Sequence, residues 1–166
     1  MDRQLKYRAQ SESDFFKDAS IMRTPVAGTV ARGQLRDDDA FYLGEDNQGD
    51  FIVKAPVAVN MRLLDRGQER YDIYCSPCHS RVGDGKGIMI TRDYVPPPTF
   101  HSDGIRNMPD GLLYDVITHG VGNMPSYRHQ IPPADRWGIV AYLRALQRSR
   151  NATVEDVPVE LRETIK

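Results

Sequence analysis

The sequence predicts a helical domain of three main helices behind a long irregular arm, and three observations carry that expectation. Apolar residues recur at helical spacing in three stretches between residues 60 and 150, glycine and proline clusters separate those stretches, and residues 1 to 58 show little sustained period.

The arm comes first. In residues 1 to 58 the aromatic pairs Phe15-Phe16 and Phe41-Tyr42 are scattered among Asp38-Asp39, Glu45-Asp46 and several glycines. So long a segment without regular elements is uncommon inside a compact domain and is usually either disordered or laid along another surface. Disordered segments are poor in aromatic and β-branched residues, whereas this one holds Tyr7, Phe15, Phe16, Ile21, Val26, Val30, Phe41, Tyr42, Phe51, Ile52 and Val53. It therefore reads as an extended arm that orders against a partner subunit; the blander alternative is that it wraps its own domain.

Asn60 is placed to cap a helix running to about Cys75, with Leu64, Gly67, Tyr71 and Tyr74 on one face. A glycine inside a helix costs about 1 kcal/mol relative to alanine, so Gly67 suggests that another helix passes close by. After His79, the glycines at 83, 85 and 87 preclude a stable helix or strand and mark a turn; a phosphate-cradling loop would need a preceding strand and a Gly-Lys-Ser/Thr ending, and both are missing. Pro96-Pro97-Pro98-Thr99-Phe100 fixes an extended segment with few backbone donors, more suited to a rigid wall beside a cofactor than to a proline-rich docking ligand. Asp110 is expected to cap a second helix through about His119, with Leu112, Leu113, Val116 and Ile117 on its apolar face and Gly120 and Gly122 ending it. A third helix is expected from after Pro132-Pro133 to about Arg148, turning Trp137, Val140, Ala141, Leu143 and Leu146 inward. Residues 151 to 166 form a charged tail with one turn of helix after Pro158. The expected organisation is an arm over 1–58, a domain over 59–150 and a tail.

The chemistry centres on Cys75-Ser76-Pro77-Cys78-His79, which contains both cysteines of the chain. Two thiols three positions apart can each add across one vinyl group of a haem, and a histidine directly after the second can ligate the iron. A structural zinc site would need a second ligand pair, and His101, His119 and His129 lack the required spacing. A redox-active dithiol would sit in a βαβ unit, of which the flanks show no sign, and a disulfide across so short a loop would staple little. The motif reads as covalent attachment of one haem c, with Cys75 and Cys78 bonded to the macrocycle and His79 on the iron.

The opposite face of that iron decides between electron transfer and catalysis. Met108, Met124, His101, His119 and His129 are candidates, while Met89 lies too near the attachment turn. Met108 and Met124 share an Asn-Met-Pro triplet, but the loop of Met124 lies between the second and third helices, and Gly120 and Gly122 free it to fold over the open face. Met124 is assigned and Met108 is the runner-up; His119 fits the surface or the propionate side. A thioether ligand favours Fe(II) and raises the reduction potential, which suits a carrier. A small haem peroxidase or sulfur-compound oxidase would need an open or cysteine-ligated iron, and no cysteine is left to supply one.

Composition sets the outer bounds. With 166 residues, 40% hydrophobic and 27% charged, the chain fits a single domain with extensions, and no run of eighteen apolar residues could span a bilayer. A net charge of -1 shows no basic excess, which argues against nucleic acid or an anionic membrane surface as a partner. Haem c is attached outside the cytoplasm, so a precursor is expected to carry an export leader, and Met1-Asp2-Arg3-Gln4-Leu5-Lys6 is not one.

Gly67 and Tyr71 before the Cys75–His79 motif, a methionine followed by proline, and a final helix with Trp137 and Tyr142 together resemble class I cytochromes c over about residues 60 to 150. That resemblance implies an all-α fold of three main helices around one haem, His79 and Met124 as axial ligands, and Tyr71, Pro98 and Tyr127 in the haem pocket. Outside this core, Lys6-Tyr7-Arg8, Ser13-Asp14-Phe15-Phe16, Arg23-Thr24-Pro25-Val26 and Gly28-Thr29-Val30-Ala31-Arg32-Gly33 resemble the mono-haem cytochrome subunit of alternative complex III. So do Arg70-Tyr71-Asp72-Ile73-Tyr74-Cys75 and Gly122-Asn123-Met124-Pro125-Ser126-Tyr127. The resemblance implies a subunit of a membrane-bound quinol oxidoreductase in a respiratory chain, without a substrate site of its own. Its expected partners are other haem and iron-sulfur subunits and a terminal oxidase or small redox carrier, on the periplasmic side of a bacterial cytoplasmic membrane. Members are often lipid-anchored near the N terminus, and no cysteine precedes Cys75 to carry such an anchor here. A free-standing soluble carrier is the simpler alternative.

Overall fold

A computed structural model describes residues 4–164; the first three residues of the expected arm and the last two of the tail lie outside them. The described chain divides into two compact units that meet at Arg36 and Asp37.

The N-terminal unit is a string of local turns with one isolated antiparallel bridge between Glu12 and Ser20. The Ser13 amide donates to the Ala19 carbonyl at 3.0 Å, and the Arg23 guanidinium lies 4.3 Å from the centre of the Phe16 ring. Tyr7, Phe15 and Val26 are each more than 60% exposed, so this unit has little core of its own.

The second unit is helical, and no extended sheet forms among the described residues. Its helices are α1 (Asp39–Tyr42), α2 (Met61–Tyr74), α3 (Ser76–His79), α4 (Asp103–Arg106), α5 (Asp110–His119) and α6 (Pro133–Ser149), with 3₁₀ turns at Ile88–Arg92, Val154–Asp156 and Val159–Thr164. The three longest match the three expected helices to within a residue or two. Asn60 caps α2 as expected, its side-chain oxygen accepting the Leu63 amide at 2.9 Å.

The core rests on the crossing of α2 and α6. Gly67 and Gly138 meet there backbone to backbone: a β-carbon added at Gly67 would stand 2.0 Å from the Gly138 carbonyl oxygen, far inside contact distance. One turn on, Tyr71 is fully buried and packs on Tyr142 with ring centres 5.3 Å apart. Arg66 holds the far side of the crossing with two hydrogen bonds, at 2.9 and 2.8 Å, to Asp135 in the first turn of α6. On the other flank of α6, Trp137 stacks on Tyr114 of α5 at 4.3 Å.

Residues 37–57, the later part of the expected arm, belong to the second unit, as in the alternative in which the arm wraps its own domain. The Trp137 indole N–H donates to the Phe41 carbonyl at 2.8 Å and the Tyr114 hydroxyl to the Tyr42 carbonyl at 3.2 Å, so the carbonyls of α1 satisfy polar groups of buried aromatics. Asp110, expected to cap α5, does not: Pro109 occupies the cap position, and the Asp110 and Gly111 amides donate instead to the Val53 and Ile52 carbonyls at 3.2 and 3.0 Å. With the first amides of the helix satisfied by backbone, the Asp110 carboxylate is released to bind the Ala55 amide at 2.8 Å and Arg144 Nε at 2.7 Å. The inward face of α5 also turns by about one position, burying Gly111, Leu113, Tyr114, Ile117 and Thr118 while Leu112 and Val116 stay half-buried.

The crossing yields a paired prediction, measured by urea unfolding. Gly67→Ala should destabilise by roughly 1 to 3 kcal/mol despite its better helix propensity, because the helices must part to admit the methyl group. Gly138→Ala, whose β-carbon would lie an ordinary 3.4 Å from Gly67, should be neutral or stabilise by up to about 1 kcal/mol.

Candidate haem-binding site

The attachment motif sits where α2 stops. Cys75 ends α2, its amide donating to the Tyr71 carbonyl at 2.9 Å, and at once begins the single turn α3, in which the His79 amide returns to the Cys75 carbonyl at 2.9 Å. Pro77 suits the start of that turn, where its missing N–H leaves no bond unmade. The Ser76 hydroxyl donates back to the Asp72 carbonyl at 2.9 Å and locks the junction. Helical spacing thus sets Cys75 and Cys78 on adjacent turns, both unpaired and half-buried.

The glycine loop closes over this turn. The Gly85 amide donates to the His79 carbonyl at 3.1 Å and the Gly87 amide to the Cys78 carbonyl at 3.0 Å, so the loop satisfies carbonyls that one isolated helical turn would leave open. From below, the Tyr71 hydroxyl donates to the Ser80 carbonyl at 2.7 Å.

Electrostatics favour a neutral, ligating imidazole. Burial pushes His79 down to about 4 from its usual 6.5, so the ring carries no charge at neutral pH. Its Nδ1 is buried without a hydrogen-bond partner. Burial, with a smaller contribution from the neighbouring Cys78, pushes the Cys75 thiol up to about 12. Burial raises Tyr71 and Tyr127 as well, with a smaller contribution from Cys75 in both cases.

Of the remaining expected pocket residues, Tyr127 also meets Tyr74 edge to face at 6.3 Å. Pro98 is exposed, and its backbone comes up against Gly85. Met124 and Met108 are both half-buried against the core. The Met124 loop is pinned to the end of α5: Val121 and Met124 exchange backbone hydrogen bonds at 3.0 and 2.9 Å, the Ser126 hydroxyl donates to the Thr118 carbonyl at 2.6 Å, and the Tyr127 amide donates to the Ile117 carbonyl at 3.0 Å. Met108 lies on the connection between α4 and α5, where Arg144 binds its carbonyl. Among the histidine candidates, His119 is exposed and paired with Asp115 at 2.5 Å, and His129 is exposed. His101 holds the Val82 carbonyl at 2.7 Å through Nε2, while its Nδ1 is buried without a partner.

Phe100, expected only as the end of a rigid wall, makes a contact that the sequence does not announce. The Phe100 ring lies against the His79 imidazole, 4.5 Å between centres and 17° from parallel. An aromatic residue closing the run Pro96-Pro97-Pro98-Thr99 was the available signal.

Residues 62–143 match the family described as cytochrome C oxidase, cbb3-type, subunit III. They form a cytochrome c-type domain. The cytochrome c domain implies a covalently bound haem c, and the site fits it, offering two free thiols on successive turns followed at once by a buried, neutral histidine. Two of the solved structures similar to the chain illustrate the likeness. The reducing HAO-like protein complex of Kuenenia stuttgartiensis is 22% identical over 65% of this chain and 54% of that one, with a TM-score of 0.48. Cytochrome cL from Hyphomicrobium denitrificans is 23% identical over 63% of this chain and 59% of that one, with a TM-score of 0.42. The similarity therefore spans between half and three-fifths of those chains. No curated protein matches the sequence.

The Tyr71–Ser80 bond generates a prediction for the site. Tyr71→Phe leaves the Ser80 carbonyl without its donor directly behind His79 and should destabilise the domain by about 1 to 2 kcal/mol in urea unfolding; an unchanged midpoint would show that water replaces the hydroxyl at no cost.

Proposed function

We propose that this protein is a one-electron carrier in which Cys75 and Cys78 hold the haem and His79 and Met124 ligate its iron. The observation that carries the reading is the approach of two segments: Tyr127, in the loop of Met124, meets Tyr74 edge to face next to Cys75, and Cys75, Met124 and Tyr127 pack against the same core. The bound haem supplies an Fe(III)/Fe(II) couple whose potential a thioether ligand raises. The chain's own residues hold the two ligands apart on separate elements and surround them with Tyr71, Tyr74, Tyr127 and Phe100. His79, neutral by burial, presents a lone pair without first losing a proton.

The reading extends to a place in an assembly. The N-terminal unit leaves Tyr7, Phe15, Met22, Val26 and Val30 all more than half exposed, an apolar surface too large for a segment with so little core to leave in water. We assign residues 4–36 to contact with a partner subunit and, on the resemblance of this stretch to the mono-haem subunit of alternative complex III, place the protein in a membrane-bound quinol oxidoreductase on the periplasmic face. In that position it passes electrons toward a terminal oxidase or small carrier. No helix among the described residues is long and apolar enough to cross a membrane, and the reading has the protein reach the membrane through the complex or through a lipid anchor.

Two experiments test these assignments. Met124→Leu should keep the covalent haem, lower the reduction potential and open the ferrous iron to carbon monoxide; an unchanged potential and spectrum would move the assignment to Met108. Removal of residues 1–36 should leave spectrum and thermal midpoint unchanged but abolish co-purification with membrane complexes. Removal of residues 1–58 should also lower the midpoint, because the Phe41 and Tyr42 carbonyls are lost with it. A 1–36 deletion that still co-purifies would refute the role of the N-terminal unit.

A further inference from the structure

The contact between Phe100 and His79 is more than proximity, because every handle on Phe100 is held. Its amide donates to the Gly83 carbonyl at 2.9 Å, and its carbonyl accepts from Gln147 Nε2 at 2.9 Å. Behind the ring stands Gly83 at a φ of +72°, where an added β-carbon would come 2.8 Å from Phe100 Cδ2. Gln147, on α6, is only 6% exposed and uses both ends of its amide, since its Oε1 accepts from Arg144 Nη1 at 2.8 Å. Arg144 in turn binds Asp110 and the carbonyls of Arg106 and Met108. A buried amide satisfied at both ends is costly to disturb, so α6 holds the Phe100 backbone as firmly as it holds its own neighbours.

On the other side of the ring, His79 lacks the restraint that a ligating imidazole ordinarily has. Such a ring usually donates its second N–H to a carbonyl or carboxylate, which fixes its plane, yet among the described residues His79 Nδ1 has no hydrogen-bond partner. The parallel face of Phe100 is a contact that can set that plane, at a separation typical of offset aromatic pairs.

We propose that Phe100 is the positioning residue of the His79 imidazole, clamped by Gly83 and by the Gln147–Arg144 pair of α6, so that stacking sets the plane of the axial ligand. The inference rests on His79 being the iron ligand. Phe100 touches neither iron nor substrate and acts only through the imidazole.

The test uses the full-length haem-loaded protein and reads the low-temperature electron paramagnetic resonance spectrum of its ferric form, which responds to the plane of an axial imidazole. Phe100→Leu keeps an apolar side chain but loses the flat face; it should retain one haem per chain while shifting the largest g value beyond the wild-type line width and broadening the signal. Phe100→Tyr, which restores a flat ring, should return the wild-type spectrum. Gln147→Leu should shift the signal in the same direction as Phe100→Leu, and it decides the matter if Phe100→Leu fails to accumulate. A Phe100→Leu spectrum superimposable on wild type, a Phe100→Tyr spectrum no nearer to wild type than that of Phe100→Leu, or, failing Phe100→Leu, an unshifted Gln147→Leu spectrum would overturn the inference and leave the carrier reading intact. A wild-type protein without covalent haem would instead overturn the carrier reading itself, and this inference with it.

Discussion

The structure depends on the contact of two glycines. At Gly67 and Gly138 the backbones of α2 and α6 touch, and a single methyl group on Gly67 would collide with a carbonyl oxygen. Close approach there stacks Tyr71 on Tyr142 one turn further along and brings the end of α2, with its Cys75–His79 turn, against the body of the domain. Dispersion between two backbones in full contact is individually weak and collectively large, and the Arg66–Asp135 pair adds direction to it. The attachment turn inherits its position from this crossing.

Around the crossing the chain spends its polar groups on keeping loops in place. Three such anchors converge on the site: the glycine loop on the carbonyls of Cys78 and His79, the Met124 loop on the last carbonyls of α5, and the Phe100 segment on Gln147. Each ties an irregular segment to a helix, the glycine loop through backbone atoms alone, the Met124 loop with the help of the Ser126 hydroxyl and the Phe100 segment through the Gln147 side chain. Such a scaffold suits a redox centre, where ligands that move little keep the geometry of the two oxidation states alike.

Much of this was legible in the sequence, and the reason differs from place to place. Asn60 before a helical pattern announces a cap because its side chain competes for the same amides wherever it occurs, and the structure agrees. Gly67 announced a crossing because a glycine in mid-helix weakens the helix unless something needs the space. Asp110 misled because a carboxylate at a helix start usually caps; here the carbonyls of Ile52 and Val53 arrive first, from more than fifty residues away, and no local pattern encodes them. The wrap of residues 37–57 was hidden for the same reason, since its anchors are backbone carbonyls, which look alike in every residue. Phe100, Gln147 and Arg144 form their chain across segments that only the fold brings together.

The central claim is that the Cys75–His79 turn carries one covalent haem c. Intact-mass measurement of the full chain produced in an exporting host capable of haem attachment tests it most directly, with fragment masses to locate the adduct. The account predicts a chain heavier by a single haem that survives acid-acetone extraction, with the added mass on the fragment containing Cys75 and Cys78. A chain of unmodified mass, or a haem that the solvent removes, would contradict it.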